Sequence, residues 1–109
     1  MAVHHVAVAV DDLDAAIDFY TTQLGMTVRR DRPDSAGPGA WLDAGGQQIH
    51  LTLVGPHFAV LVEDLDATTA QLRAGGVDVS DAVGIGADRQ AFLTDPSGNA
   101  IELHELPRG

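Results

Sequence analysis

HHVAVAVDDLDA at residues 4–15 and HFAVLVEDLDA at residues 57–67 are nearly one phrase written twice. A shift of 52 residues pairs His5 with His57, Ala7 with Ala59, Val8 with Val60 and Val10 with Val62, and then Asp12, Leu13, Asp14 and Ala15 with Asp64, Leu65, Asp66 and Ala67. Eight of the eleven positions from 5 to 15 are identical. The same ungapped shift lays DAGGQQIHL (43–51) over DPSGNAIEL (95–103), matching Asp43, Gly46, Ile49 and Leu51 with Asp95, Gly98, Ile101 and Leu103. A register kept at both ends of the shift points to duplication of one supersecondary unit.

Val3 to Val10 is β-branched and reads as a strand. Asp11 or Asp12 caps a following helix, in which Leu13, Ala16, Ile17, Tyr20 and Leu24 recur at helical spacing before Gly25 stops it. Strands return at about 26–31, 39–43 and 47–54, divided by the turn-rich DRPDSAGPG and by AGGQ. The second copy predicts a strand at 57–62, a helix from about 64 to 74 ended by Gly75 and Gly76, and strands near 77–82, 88–94 and 99–105. The expected fold is α+β: two tandem β-α-β-β-β units, approximately 1–54 and 55–109, forming one domain with a cupped eight-stranded sheet and a helix on the outer face of each unit.

The 109 residues suit one domain with one core, and 45% apolar with 20% charged residues is an ordinary globular composition. No stretch is long and apolar enough for a membrane helix, and the amino terminus has no basic region of the secretory kind, which places the expected site of action in the cytoplasm. The chain has no cysteine, so disulfides, thiolate ligands and cysteine nucleophiles are excluded and any metal must be held by nitrogen and oxygen. Sixteen acidic residues against six basic ones, all arginine, give a net charge near −10 that repels nucleic acid and anionic membranes. Small molecules are the expected partners.

Strand side chains alternate in direction, so parity decides which residues share a face. Val6, Val8 and Val10, then Ile49, Leu51 and Leu53, Phe58, Val60 and Val62, and Ile101 with Leu103 form the sets expected under the helices. The opposite face receives His5, His50, His57 and Glu102, with the small Ala7, Ala9 and Ala59 leaving room beside them. In the repeat His5 corresponds to His57 and His50 to Glu102, so an approximate twofold axis would bring the four together, within one chain or across two exchanged chains. Three imidazoles and a carboxylate suit a divalent ion, Zn, Ni, Co, Mn or Fe, with positions left open for water or substrate. His4 points to the other face and reads as structural or exposed. His104 shares the face of Glu102 near the strand end, as an outer-shell partner or a rim residue.

HHVAVAVDDLDAAIDFYTTQLGM, QQIHL, HFAVLVEDLDATTAQLRAGGV and AFLTDPSGNAIELHE together resemble the vicinal oxygen chelate superfamily over essentially the whole chain. That superfamily contains glyoxalase I, methylmalonyl-CoA epimerase, extradiol dioxygenases, fosfomycin-resistance enzymes and bleomycin-binding proteins. The resemblance implies metal ligands at the starts of the first and fifth strands and in the middle of the fourth and eighth, here His5, His57, His50 and Glu102. Glyoxalase-like members typically carry glutamate at the fourth-strand position and the epimerase glutamine, so His50 departs from both. Extradiol dioxygenases and fosfomycin enzymes resemble the subset His5, His57 and Glu102, which would make His50 an extra group beside the metal. The resemblance also implies a homodimer.

The expected function is a glyoxalase-like lyase or isomerase in which the metal binds two neighbouring substrate oxygens while a proton is lost beside a carbonyl. Glu102 is the first candidate for moving that proton and His50 the second. An imidazole in place of a carboxylate also makes the site less anionic, which favours anionic oxygen donors. The alternatives are an iron-dependent dioxygenase of the extradiol type and a protein that sequesters a drug or metabolite, as resistance members do. Among other residues, Arg89 reads as a solvated strand-end cation or a contact for an anionic substrate, Arg29, Arg30 and Arg32 as charge balance or as partners of a substrate carboxylate or phosphate, and Trp41 as either cavity wall or core.

Overall fold

The computed structural model describes residues 1–53 and 55–107. The expected end of the fourth strand and of the first repeat, Val54, lies outside the described residues, as does the end of the second repeat at Gly109. Two units emerge: one runs from His5 to Pro56, and the other takes the chain from His57 onward together with Met1–His4.

The first unit is built from β1 (Val3–Ala9, shared at its start), α1 (Leu13–Asp18), a π-helical turn (Phe19–Gln23), β2 (Thr27–Val28), a 3-10 turn (Asp34–Ala36), β3 (Ala40–Ala44) and β4 (Gln47–Thr52). Its strand order is β2-β3-β4-β1, with β1 parallel to β4 and the other pairs antiparallel. Asp12 is the cap, its Oδ1 accepting the Ala15 N–H at 3.0 Å. The helix expected through residue 24 is α-helical only to Asp18. Beyond it the Thr21 and Thr22 hydroxyls donate to the Ile17 and Asp18 carbonyls at 2.8 and 2.6 Å, competing with the backbone ladder where it widens. Ala40, Leu42 and Leu51 are buried under this helical segment, with Val10, Leu13, Ile17, Tyr20 and Ile49 packed against them.

Val6 and Leu53, expected in that core, are exposed. The helical segment packs on Val10, Leu42 and Leu51 through Leu13, Ile17 and Tyr20, and Val6 lies outside that cluster. Leu53 follows the last residue of β4 and has left the sheet.

The second unit contains β5 (His57–Leu61), α2 (Leu65–Ala74), β6 (Val83–Ile85), β7 (Asp88–Thr94) and β8 (Ala100–Glu105) in the order β5-β8-β7-β6, with β5 parallel to β8. Asp64 caps α2 as Asp12 caps α1, accepting the Ala67 N–H at 3.0 Å. Leu65, Val79, Ala91 and Leu103 make the core, lined by Val60, Val62, Leu72, Val77 and Leu93. Phe58, expected there, is exposed. The strand expected at 77–82 is not one: Val77 and Val79 fill the core under α2, Ser80 is tied to Phe92 by its N–H and its hydroxyl, and β6 begins at Val83. Alternation at 77–82 reflects burial of two valines without a hydrogen-bonded ladder. The fold class is the expected one, α+β with each unit a β-α-β-β-β arrangement.

Candidate functional site

In the first unit, the pairings His5 with Gln48 and Ala7 with His50 put these four residues on the sheet face opposite α1. Trp41 pairs with His50 across β3 and β4, so its parity places it on the same face. The His5 and His50 rings stack with centroids 3.6 Å apart and planes 10° from parallel, and the Trp41 indole stacks on His50 at 4.8 Å. His50 Nε2 lies 2.7 Å from Gln48 Oε1 and donates to it, which puts the lone pair of a neutral ring on Nδ1. The Arg32 guanidinium stands 6.0 Å from the Trp41 ring and donates to the Gly37 and Ala36 carbonyls.

In the second unit, His57, Ala59 and Leu61 of β5 share a face with Glu102 and His104 of β8 and with Asp88, Gln90 and Phe92 of β7. His57 Nε2 is 3.0 Å from Glu102 Oε1, and His104 Nδ1 is 2.7 Å from Glu102 Oε2. His104 Nε2 is in turn 2.7 Å from Asp88 Oδ2, and the His4 ring stacks on His104 at 4.2 Å. Glu102 and His104 are each 2% exposed. Burial pulls the His104 pKa down, but hydrogen bonds to two carboxylates outweigh it and hold the ring above its ordinary value. His104 is thus a hydrogen-bonding partner of Glu102, and His4, expected on the other face, instead covers its ring.

The donors can be tested against a divalent ion on their own geometry. Ligand atoms about 2.1 Å from one ion stand roughly 3 to 3.4 Å apart around it. The His57 and Glu102 atoms meet that spacing at 3.0 Å, in a buried setting where a carboxylate needs a cation or donors. An imidazole binds metal in its ring plane, and the stacked planes of His5 and His50 send their lone pairs side by side instead of toward one point. Each unit therefore brings its own pair together, edge on in one case and face to face in the other.

Neither Asp88 nor Gln48 stood out in the sequence. The signal for Asp88 was parity: residues 88, 90 and 92 alternate on the strand that pairs with Glu102 and His104. Arg89, one residue on, faces α2, where it meets Asp66 at 2.9 Å. Arg29 is engaged by Asp31 and Asp43, whose bonds push its pKa up, and so balances charge as expected.

Residues 2–103 match the Glyoxalase/Bleomycin resistance protein/Dioxygenase superfamily, and the chain belongs to that family. Within it, a probable lactoylglutathione lyase of Vibrio parahaemolyticus is 32% identical over 119 residues, which cover 91% of this chain and 86% of that one. A chloroplastic probable lactoylglutathione lyase of Arabidopsis thaliana is also 32% identical, over 93% of this chain but 35% of its own, so the chain spans about a third of that plant relative. Among solved structures, the methylmalonyl-CoA epimerase from Mycobacterium tuberculosis superposes with a TM-score of 0.82 at 32% identity, covering 97% of this chain and 88% of that one.

Proposed function

We propose that this protein is a metal-dependent lyase or isomerase of the glyoxalase type, with His5, His57 and Glu102 as ligands of one divalent ion and His50 beside them. The observation that carries the reading is the pairing of the half-buried His57 with the buried Glu102, with ligand atoms at coordination spacing. It is supported by the repeat, which makes His5 the counterpart of His57, and by relatives named as lyases and an epimerase. The stacking of His50 between His5 and Trp41, with Nε2 given to Gln48, favours the three-ligand set over all four.

When bound, the ion would polarise two neighbouring oxygens of a small substrate and favour negative charge on them. The chain's own residues then divide the work. Glu102, partly released from the ion, is the first candidate to take the proton from the carbon beside the carbonyl, through the freed Oε1, because Oε2 already accepts from His104. His50 is the second, through the Nδ1 that its bond to Gln48 leaves as the basic nitrogen. Trp41 holds the His50 ring by its face, and Ala7 and Ala59 keep the adjoining strand surfaces small. An epimerase must remove and return a proton at one carbon, so the same groups serve isomerisation. A cytoplasmic homodimer completes the proposal; among the described residues no helix is long and apolar enough to cross a membrane.

Elemental analysis of tag-free protein, followed by titration of the apo form with Co, Ni, Zn and Mn, tests the site. One ion per chain is expected, lost in His57→Ala and Glu102→Gln. Exchange of solvent deuterium into thioester and 2-oxo substrates then tests the chemistry. A wild-type protein that refuses every ion while binding a small molecule would replace this reading with sequestration.

A further inference from the structure

The Glu102 carboxylate is held on both sides, and only one of its neighbours belongs to the candidate ligand set. Resting on the metal-site reading above, we propose that His104 and Asp88 are positioning residues for Glu102: they occupy Oε2 and so make the carboxylate a one-oxygen ligand acting through Oε1.

Two neighbouring strands deliver this chain of contacts. Glu102 and His104 are two residues apart on β8, the spacing that returns a side chain to the same face, and β7 brings Asp88 up beside them. The His104 ring is fixed at both nitrogens, 2.7 Å from Glu102 Oε2 and 2.7 Å from Asp88 Oδ2, while the His4 ring covers its face at 12° from parallel. A ring held at two edges and one face has one orientation.

A glutamate side chain has three torsions and a carboxylate that can give an ion one oxygen or two. Freezing those torsions before binding lowers the entropic cost of capture, and a hydrogen bond on the second oxygen opposes two-oxygen chelation. One coordination position then stays open for substrate. A merely structural role would require partners for both nitrogens of the buried ring, which Glu102 and Asp88 provide, but it would leave the metal-binding properties of Oε1 unchanged when Asp88 is replaced. The Asp88 side chain is 24% exposed, so replacing it tests the orientation of the ring without opening the core.

The experiment compares Co(II) binding and the visible Co(II) spectrum in wild type, His104→Ala, His104→Asn, Asp88→Asn and Asp88→Ala, each checked for folding by circular dichroism. Asparagine places its amide N–H where His104 Nδ1 stands and keeps the bond to Oε2. Loss of an outer-shell partner typically weakens metal binding about 10- to 100-fold. That range is expected for His104→Ala and its lower end for both Asp88 variants, with altered d–d bands; His104→Asn should recover most of the affinity and the wild-type bands. Folded Asp88→Ala and His104→Ala proteins with wild-type Co(II) affinity and spectra overturn the inference while leaving the metal site intact. Wild-type protein that takes up no Co(II) overturns the metal site and the inference with it. Should His104→Ala fail to fold, the partly exposed Asp88 position decides alone.

Discussion

Glu105 ends the strand that carries Glu102 and His104, and its side chain points to the other face, into the start of α2. Its Oε2 accepts the Leu65 N–H at 2.6 Å in a buried position, and its Oε1 lies 3.4 Å from Arg89 Nη1. Replacing it by alanine leaves the first N–H of α2 buried without this partner, although Asp64 still caps the Ala67 N–H. A hydrogen bond to a charged group contributes about 1.5–3 kcal/mol, and favourable charge at a helix start adds roughly 0.3–1 kcal/mol. Arg89 keeps Asp66 in the variant, so little is lost there. Glu105→Ala should therefore lower stability by about 2–3 kcal/mol, which for a domain near this size is a fall in melting temperature of roughly 10 °C or more. Glu105→Gln, which retains an acceptor without the charge, should lose about half as much. Urea unfolding followed by circular dichroism, with unchanged m-value, measures both. A Glu105→Ala protein within about 0.5 kcal/mol of wild type would refute the view that this one carboxylate pins α2 to β8.

Gly39 has φ +156, and a Cβ there would sit 2.6 Å from Arg32 Nη2 and 2.8 Å from the Leu51 carbonyl oxygen; Gly39→Ala should cost about 1–3 kcal/mol by thermal unfolding, and an unchanged transition would count against the close approach. Asp95 accepts from the Asn99 side chain and from the Asn99 and Ser97 N–H groups, which lower its pKa below the ordinary 3.8. Because the folded value is the depressed one, the contribution is fully present above the unfolded pKa and disappears as pH falls through the folded one. Wild type and Asp95→Asn should thus converge in stability only below about pH 4; parallel curves down to acid unfolding would sink the assignment. His5→Ala should abolish high-affinity Co(II) binding while His50→Ala stays within the roughly 10-fold expected of a neighbouring group. Equal losses in isothermal titration would return His50 to the ligand set.

The duplicated phrase was enough to specify two β-α-β-β-β units, an aspartate cap at residue 11 or 12 and, within each unit, the shared face of His5 with His50 and of His57 with Glu102, because these follow from strand parity and local hydrogen bonding. It was not enough to place Val6 and Phe58, since whether a β-branched or aromatic residue is covered depends on what packs over the strand, or Leu53, which lies beyond the end of β4. The segment at 77–82 misled for a related reason: two alternating valines look alike whether they sit in a ladder or plug a core. The contacts that give the candidate site its character were decided by tertiary structure alone. The His5–His50 stack, the Trp41 cover and the Asp88–His104 contact each join residues on neighbouring strands at a register that no single segment encodes. Periodicity tells a side chain which way to face; strand pairing across the sheet chooses what it faces.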